Sequence, residues 1–150
     1  MYKTVIKRQV RSMYAAFNGG DYHPLLNTFD REFAYTFVGE GHPLAGTRRS
    51  REAMQAQFER ILRLFPGINF AVREVIVNGT PWNTRIAISI GVSAELQDGS
   101  PYENDIVQLL WMRWGRVSRV RTVIDTGRLT DAFDRLAAAG IAEAGAVPVS

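Results

Sequence analysis

The stretch Tyr102–Arg121, YENDIVQLLWMRWGRVSRVR, decides how the rest of the chain is read. Val, Ile and aromatic residues run up to a glycine-bearing turn, which predicts a long strand, a tight turn at Trp114-Gly115 and a strand returning beside the first. From Ile106 to Met112 apolar side chains occupy both parities, with Ile106, Leu110 and Met112 on one face and Val107, Leu109 and Trp111 on the other. A strand wet on one face alternates apolar with polar, so this pattern predicts cover on both faces. The protein's own helices supply one cover and a second subunit the other. Gln108 interrupts the run on the parity of Asn104, Ile106, Leu110 and Met112. A buried amide needs hydrogen-bond partners, from the chain or from a ligand.

Outward from the hairpin, the N-terminal half reads as helices. Ile6, Val10, Met13, Tyr14 and Phe17 recur at helical spacing over residues 4–18, and Gly19-Gly20 ends the run. Asp21 caps a short second helix over Tyr22–Thr28, with Pro24 tolerated in its first turn. A strand over Phe33–Val38 follows, then a loop, GEGHPLAGT. Ser50 caps a third helix whose stripe is Met54, Phe58, Ile61, Leu62 and Phe65, stopped by Pro66-Gly67. Strands are predicted over Asn69–Val77 and Thr84–Leu96, the latter joined to the hairpin through Asp98-Gly99. A helix over Thr130–Ala139 buries Phe133 and Leu136, and the tail from Gly140 is either flexible or docked on a partner. The order is helix, helix, strand, helix and four strands in an antiparallel meander. That order predicts an α+β fold, a curved sheet wrapped by three helices of the N-terminal half and a short C-terminal helix, enclosing a conical hydrophobic cavity.

Composition narrows the function. The 150 residues, 46% apolar, suit one domain with a sizeable core, and nothing divides the chain. Without cysteine there is no disulfide, thiolate metal site or Cys nucleophile. No signal-like segment opens the sequence, and the longest uncharged apolar stretch, Ile86–Ala94, is too short to span a bilayer, so a cytoplasmic protein without a membrane partner is expected. The net charge of +3 rests mostly on arginines scattered among acids, a pattern that argues against nucleic acid. The two histidines, His23 and His42, lack the spacing of a metal pair, so no metal site is expected.

The segments YAAFNGGDYHPLLNTF (14–29), GHPLAGTRRSREAM (41–54) and YENDIVQLLWMRWGRV (102–117) leading to IDT (124–126) resemble the SnoaL-like branch of the NTF2-like superfamily. This cone-shaped α+β fold is shared by ketosteroid isomerase, scytalone dehydratase, limonene epoxide hydrolase and polyketide cyclases. The resemblance implies a mostly apolar pocket for a small hydrophobic molecule, no cofactor, and acid-base isomerase, cyclase or dehydratase chemistry. A non-catalytic ligand-binding or dimerisation module is the alternative. Placed on the isomerase without gaps, the catalytic tyrosine falls at Met13, the carboxylate base at Phe37 and the oxyanion acid at Gln108. That chemistry is therefore not carried over. The hydrolase set falls near Ser89, Gly91 and Thr122, and none of the three activates water as a carboxylate would.

The candidate site residues follow from both readings. Tyr14, one position past the aligned tyrosine, and His42, in the loop at the cavity mouth, are the candidates for proton transfer. Each has a plainer alternative: Tyr14 as core and His42 as an exposed loop residue. Tyr35, Phe37, Asn104, Gln108, Met112 and Thr122 are the candidates for ligand contact. Val120, Thr122 and Ile124 face the cavity while Arg119, Arg121 and Asp125 face away, and Asp125 reads as the cap of the last helix. Val107, Leu109 and Trp111, flanked by Arg113, Arg119 and Arg121, form the expected homodimer surface. Trp82 reads as an interface aromatic.

Overall fold

The computed structural model covers residues 1–150. Its elements are α1 (Tyr2–Asn18), α2 (His23–Leu26), β1 (Phe29–Phe37), β2 (Gly46–Arg48), α3 (Arg51–Leu64), β3 (Asn69–Thr80), β4 (Asn83–Glu95), β5 (Pro101–Arg113), β6 (Arg116–Ile124), α4 (Thr126–Ala138) and a closing 3₁₀ turn at Ala142–Gly145. The strands form one sheet in the order β2-β1-β6-β5-β4-β3. The antiparallel meander β3 to β6 is the one the sequence predicts. β1 adds a feature the sequence does not: it pairs in parallel with β6, Tyr35 against Val120 and Phe37 against Thr122, making the sheet mixed. Parallel neighbours need a long crossover, and the whole of β2, α3 and the first three meander strands supplies it.

The helices close the inner face. α1 buries Ile6, Val10, Tyr14 and Phe17. Asn18 then mimics a strand neighbour: its Nδ2 donates to the Phe70 carbonyl at 3.0 Å and its Oδ1 accepts the Phe70 N–H at 2.7 Å. α3 begins where the Ser50 side chain accepts the Ala53 N–H at 3.1 Å, and it buries Met54, Gln57, Phe58, Ile61 and Leu64. At the hairpin turn Trp114 takes φ of 51° and Gly115 of 74°, the left-handed pair a two-residue turn demands. The strain at the non-glycine Trp114 is offset by its N–H bonding the Pro81 carbonyl at 2.7 Å and by its ring packing 6.0 Å from Trp82.

Several boundaries differ from expectation. β1 starts at Phe29 rather than Phe33, its charged Asp30-Arg31-Glu32 falling in the irregular stretch before regular pairing with β6 resumes at Ala34. The loop after β1 contains β2, three residues pairing with Tyr35–Phe37 and too short to show alternation. α2 is one turn, its N-cap is Tyr22, and Asp21 bonds the His23 N–H instead at 3.0 Å. α4 starts at Thr126 rather than Thr130, because Asp125 accepts the Arg128 N–H and caps it there. Leu64 replaces the half-buried Leu62 in the α3 stripe. Ser89 and Gly91, aligned to cavity positions, turn to the outer face, where they pair with Val107 and Asp105. No helix is long and apolar enough to cross a membrane.

Candidate functional site

Four polar side chains meet inside the apolar core. Tyr14 of α1 donates its hydroxyl to Gln108 Oε1 of β5. Gln108 Nε2 donates to Thr122 Oγ1 of β6 at 3.0 Å, and Thr122 Oγ1 donates to the Tyr35 hydroxyl of β1 at 2.9 Å. The register explains the meeting: Gln108 pairs with Thr122, and Tyr35, opposite Val120, sits two residues from the partner of Thr122 on the neighbouring strand, all with inward parity. Each bond has a fixed sense. Gln108 accepts through oxygen and gives through nitrogen, and Thr122 accepts and then gives.

The chain lies between two apolar cavities. One, about 60 Å³, is lined by Phe37, Phe65, Phe70, Ile90, Ile106 and Leu129 among others; the other, about 50 Å³, by Val10, Phe29, Ile88, Met112 and Val120 among others. Tyr14, Leu25, Tyr35, Phe58 and Gln108 border both and form the partition between them. Neither cavity is bordered by a carboxylate or a histidine. The tyrosines that border them are held in the neutral form by burial: Tyr14 and Tyr35 are raised above the ordinary phenol range, and Tyr102 is pushed up to about 12.

Of the residues singled out in the sequence, Tyr14, Tyr35, Phe37, Gln108, Met112 and Thr122 come together on these walls. His42 and Asn104 do not. His42 is buried beneath Phe37 and Phe133, stacked at 16° on the latter. Its Nδ1 accepts the Leu44 N–H at 3.2 Å and its Nε2 lies 3.4 Å from the Val38 carbonyl, an arrangement that sets the Nε2–H tautomer. Burial lowers its pKa, the Val38 carbonyl opposes that, and the Arg48 charge adds to the lowering. Asn104 spends its amide on the Tyr102 hydroxyl at 2.8 Å, the Asp125 carbonyl at 3.0 Å and the Asp105 N–H at 2.8 Å, tying β5 to the start of α4.

Arg48 escaped sequence reasoning. It is 1% exposed, although it stands beside a second arginine between the predicted loop and the Ser50 cap. Its Nη1 donates to the carbonyls of Leu44 at 2.8 Å and Gly46 at 3.0 Å, and its Nη2 to that of Ala45 at 2.8 Å. The only available signal was its place opposite Tyr35 in a pairing that the sequence does not reveal.

Known structures share this architecture. PrhC from Penicillium brasilianum superposes with a TM-score of 0.78 at 18% identity, covering 95% of this chain and 94% of that one. TerC, co-crystallised with polyporic acid, gives 0.71 at 20% identity over 83% and 95%. Bal32a, from a soil-derived mobile gene cassette, gives 0.66 at 27% identity over 79% and 87%. No functionally curated protein matches the sequence. The family model of the SnoaL-like domain matches residues 10–120, most of the sheet and its helices, and the chain belongs to that family.

Proposed function

We propose that this protein holds one small, largely apolar molecule between α1, α3 and the inner face of the sheet, with the Tyr14–Gln108–Thr122–Tyr35 chain as its polar contact. The observation that carries the reading is that chain itself, a line of polar groups threaded between two apolar cavities. A hydrogen-bonded polar chain in an apolar core adds little stability over apolar side chains of the same shape, and function is a common reason to keep one. Each cavity is smaller than the ~150 Å³ that holds a benzene ring, and the two together approach it. The ligand is therefore no larger than a single ring, and it is seated only by joining the cavities and displacing the Tyr14–Gln108 partition between them. The fold neighbour TerC, crystallised with polyporic acid, is a precedent at the level of fold.

The same walls favour binding over acid-base turnover. Neutral tyrosines donate hydrogen bonds and do not abstract protons near neutral pH. The second reading, a cofactor-free isomerase, cyclase or dehydratase, would use Tyr14 at the partition, whose hydroxyl would first have to leave Gln108 Oε1. His42 would serve that reading only by leaving its two backbone partners. Mass spectrometry of the small molecule retained through purification tests both. A retained molecule recovered unchanged after prolonged incubation establishes a binder, a converted one establishes an enzyme, and an empty pocket that takes up no single-ring compound refutes the pocket.

We infer further that the second cover predicted for β5 is a second copy of this chain. Val107, Leu109 and Val123, with Ile76 on the edge strand, are the exposed apolar residues of the outer face, 38–54% accessible. Arg119 and Arg121 lie on one side of this patch and Glu74 on the other. A two-fold axis through the patch brings the opposite charges together. Trp111 is half covered by Arg119, whose guanidinium lies 4.7 Å from its ring centroid. Sedimentation as a clean monomer at micromolar concentration would remove this reading.

A further inference from the structure

Resting on the pocket reading above, we propose that the occupant is a small apolar anion, its charged oxygen accepting the Tyr35 hydroxyl proton within the field of the buried Arg48 charge behind the wall. Tyr35 accepts from Thr122 at 2.9 Å, and its own proton meets no chain acceptor at full hydrogen-bonding geometry, although the Gln108 amide lies close enough to act on its pKa. The sense of the chain is fixed by the Gln108 amide, so the Tyr35 hydroxyl ends it as an unspent donor bordering both cavities. A hydroxyl in that state favours a ligand that accepts, and an unpaired buried donor is costly.

Arg48 supplies the sign. It pairs with Tyr35 across the β1–β2 ladder, and Leu44, whose carbonyl it holds, lines the larger cavity. All its partners are backbone carbonyls, which solvate a guanidinium but carry no net charge, and its Nε has no partner. None of the ion pairs in the fold includes it. The neighbouring Arg60 differs in this respect, because Glu143 balances it. Buried charges are ordinarily paired, and in a low-dielectric interior an uncompensated cation acts beyond its own contacts. Arg48 does not border the cavity, so it acts through Tyr35 and the local potential. A carboxylate, phenolate or enolate on a single ring supplies both the missing acceptor and the missing counter-charge.

Benzoate and nitrobenzene, equal in shape but different in charge, test this by calorimetric titration at neutral pH. The expected result is benzoate binding at least about tenfold more tightly, one pKa unit's worth of preference for the charged form. Arg48→Met keeps the length of the side chain, and Tyr35→Phe keeps the ring while removing the donor; each should bring benzoate down to the level of nitrobenzene. If Arg48→Met does not fold, Tyr35→Phe alone carries the comparison. Equal binding of the two probes to the unmodified protein, or an unchanged preference in Tyr35→Phe, overturns the anion assignment and leaves the pocket standing. Binding of neither probe overturns the pocket and the anion assignment together.

Discussion

Tyr14 and Gln108, 94 positions apart in sequence, fasten helix α1 to strand β5 through a single hydrogen bond, with the tyrosine donating. Neither group is useful to stability alone. Replacing Gln108 with leucine strands the Tyr14 hydroxyl in an apolar wall, a loss of ~1–3 kcal/mol, while Tyr14→Phe strands the amide oxygen at similar cost. Removing both is different, because an apolar pair of the same shape can be neutral or stabilising. The double variant is therefore expected to recover most of the loss in urea unfolding, while losing the molecule retained by the parent. Losses that simply add would show that the two side chains act independently.

Buried His42 makes stability depend on pH in a definite direction. Its folded pKa lies below the ordinary 6.5, so between those two values the unfolded chain binds a proton that the native chain does not. Stability then rises with pH through that window and levels off above 6.5. Urea midpoints measured between about pH 5 and 7 should climb, and His42→Gln should flatten the climb. A midpoint that falls with rising pH in the parent would mean that His42 is protonated in the fold.

Gly91 is explained by Arg73. A Cβ at Gly91 would lie 2.4 Å from Arg73 Nη2 and 2.7 Å from its Cζ, because the arginine crosses the glycine to reach Asp105 at 2.5 Å. The obstruction is the far end of a flexible side chain, and the ion pair is exposed, worth ~0–1 kcal/mol. Gly91→Ala should cost no more than about that and should become neutral or stabilising once Arg73→Ala has cleared the space, since glycine weakens a strand interior. A large loss that persists in the Arg73→Ala background would place the constraint in the backbone instead.

Much of this architecture was legible because burial leaves a period. The stripes of α1 and α3 and the inward parity of Ile106, Gln108, Leu110 and Met112 are visible in the letters alone, and they led to most of the cavity wall. Where no period exists, the reading failed. His42 sits in a loop, and loop burial follows contacts such as Phe133 that lie far away in sequence. Arg48 occupies a strand of three residues, too short to alternate. Asn104 shares the parity of Gln108, yet its amide is consumed by Asp125, which no pattern announces. Parity tells which way a side chain points, and only the pairing of β1 with β6 tells what it meets.

Glu143 governs the end of the chain. Its carboxylate accepts from Arg63 Nη2 at 2.8 Å and Nε at 3.0 Å and from Arg60 Nε at 3.3 Å, and Arg60 also reaches the carbonyls of Pro43 at 3.0 Å and Val147 at 2.8 Å. These bonds strap the 3₁₀ turn and buried Ala144 onto α3. The Arg63 hydrogen bond holds the Glu143 pKa below its ordinary 4.5, so the strap's contribution is complete above that value and is lost as pH falls through the lowered one. Glu143→Gln should remove the same contribution at neutral pH, ~1 kcal/mol or less for a pair this close to solvent. Hydrogen exchange is the direct measurement: protection factors of the amides of residues 142–147, taken against the intrinsic exchange rate at each pH, should fall in acid and should fall in the variant at neutral pH, while those of β4 and β5 stay high. Equal exchange in parent and variant would mean that Ile141 and Ala144 hold the tail by packing alone.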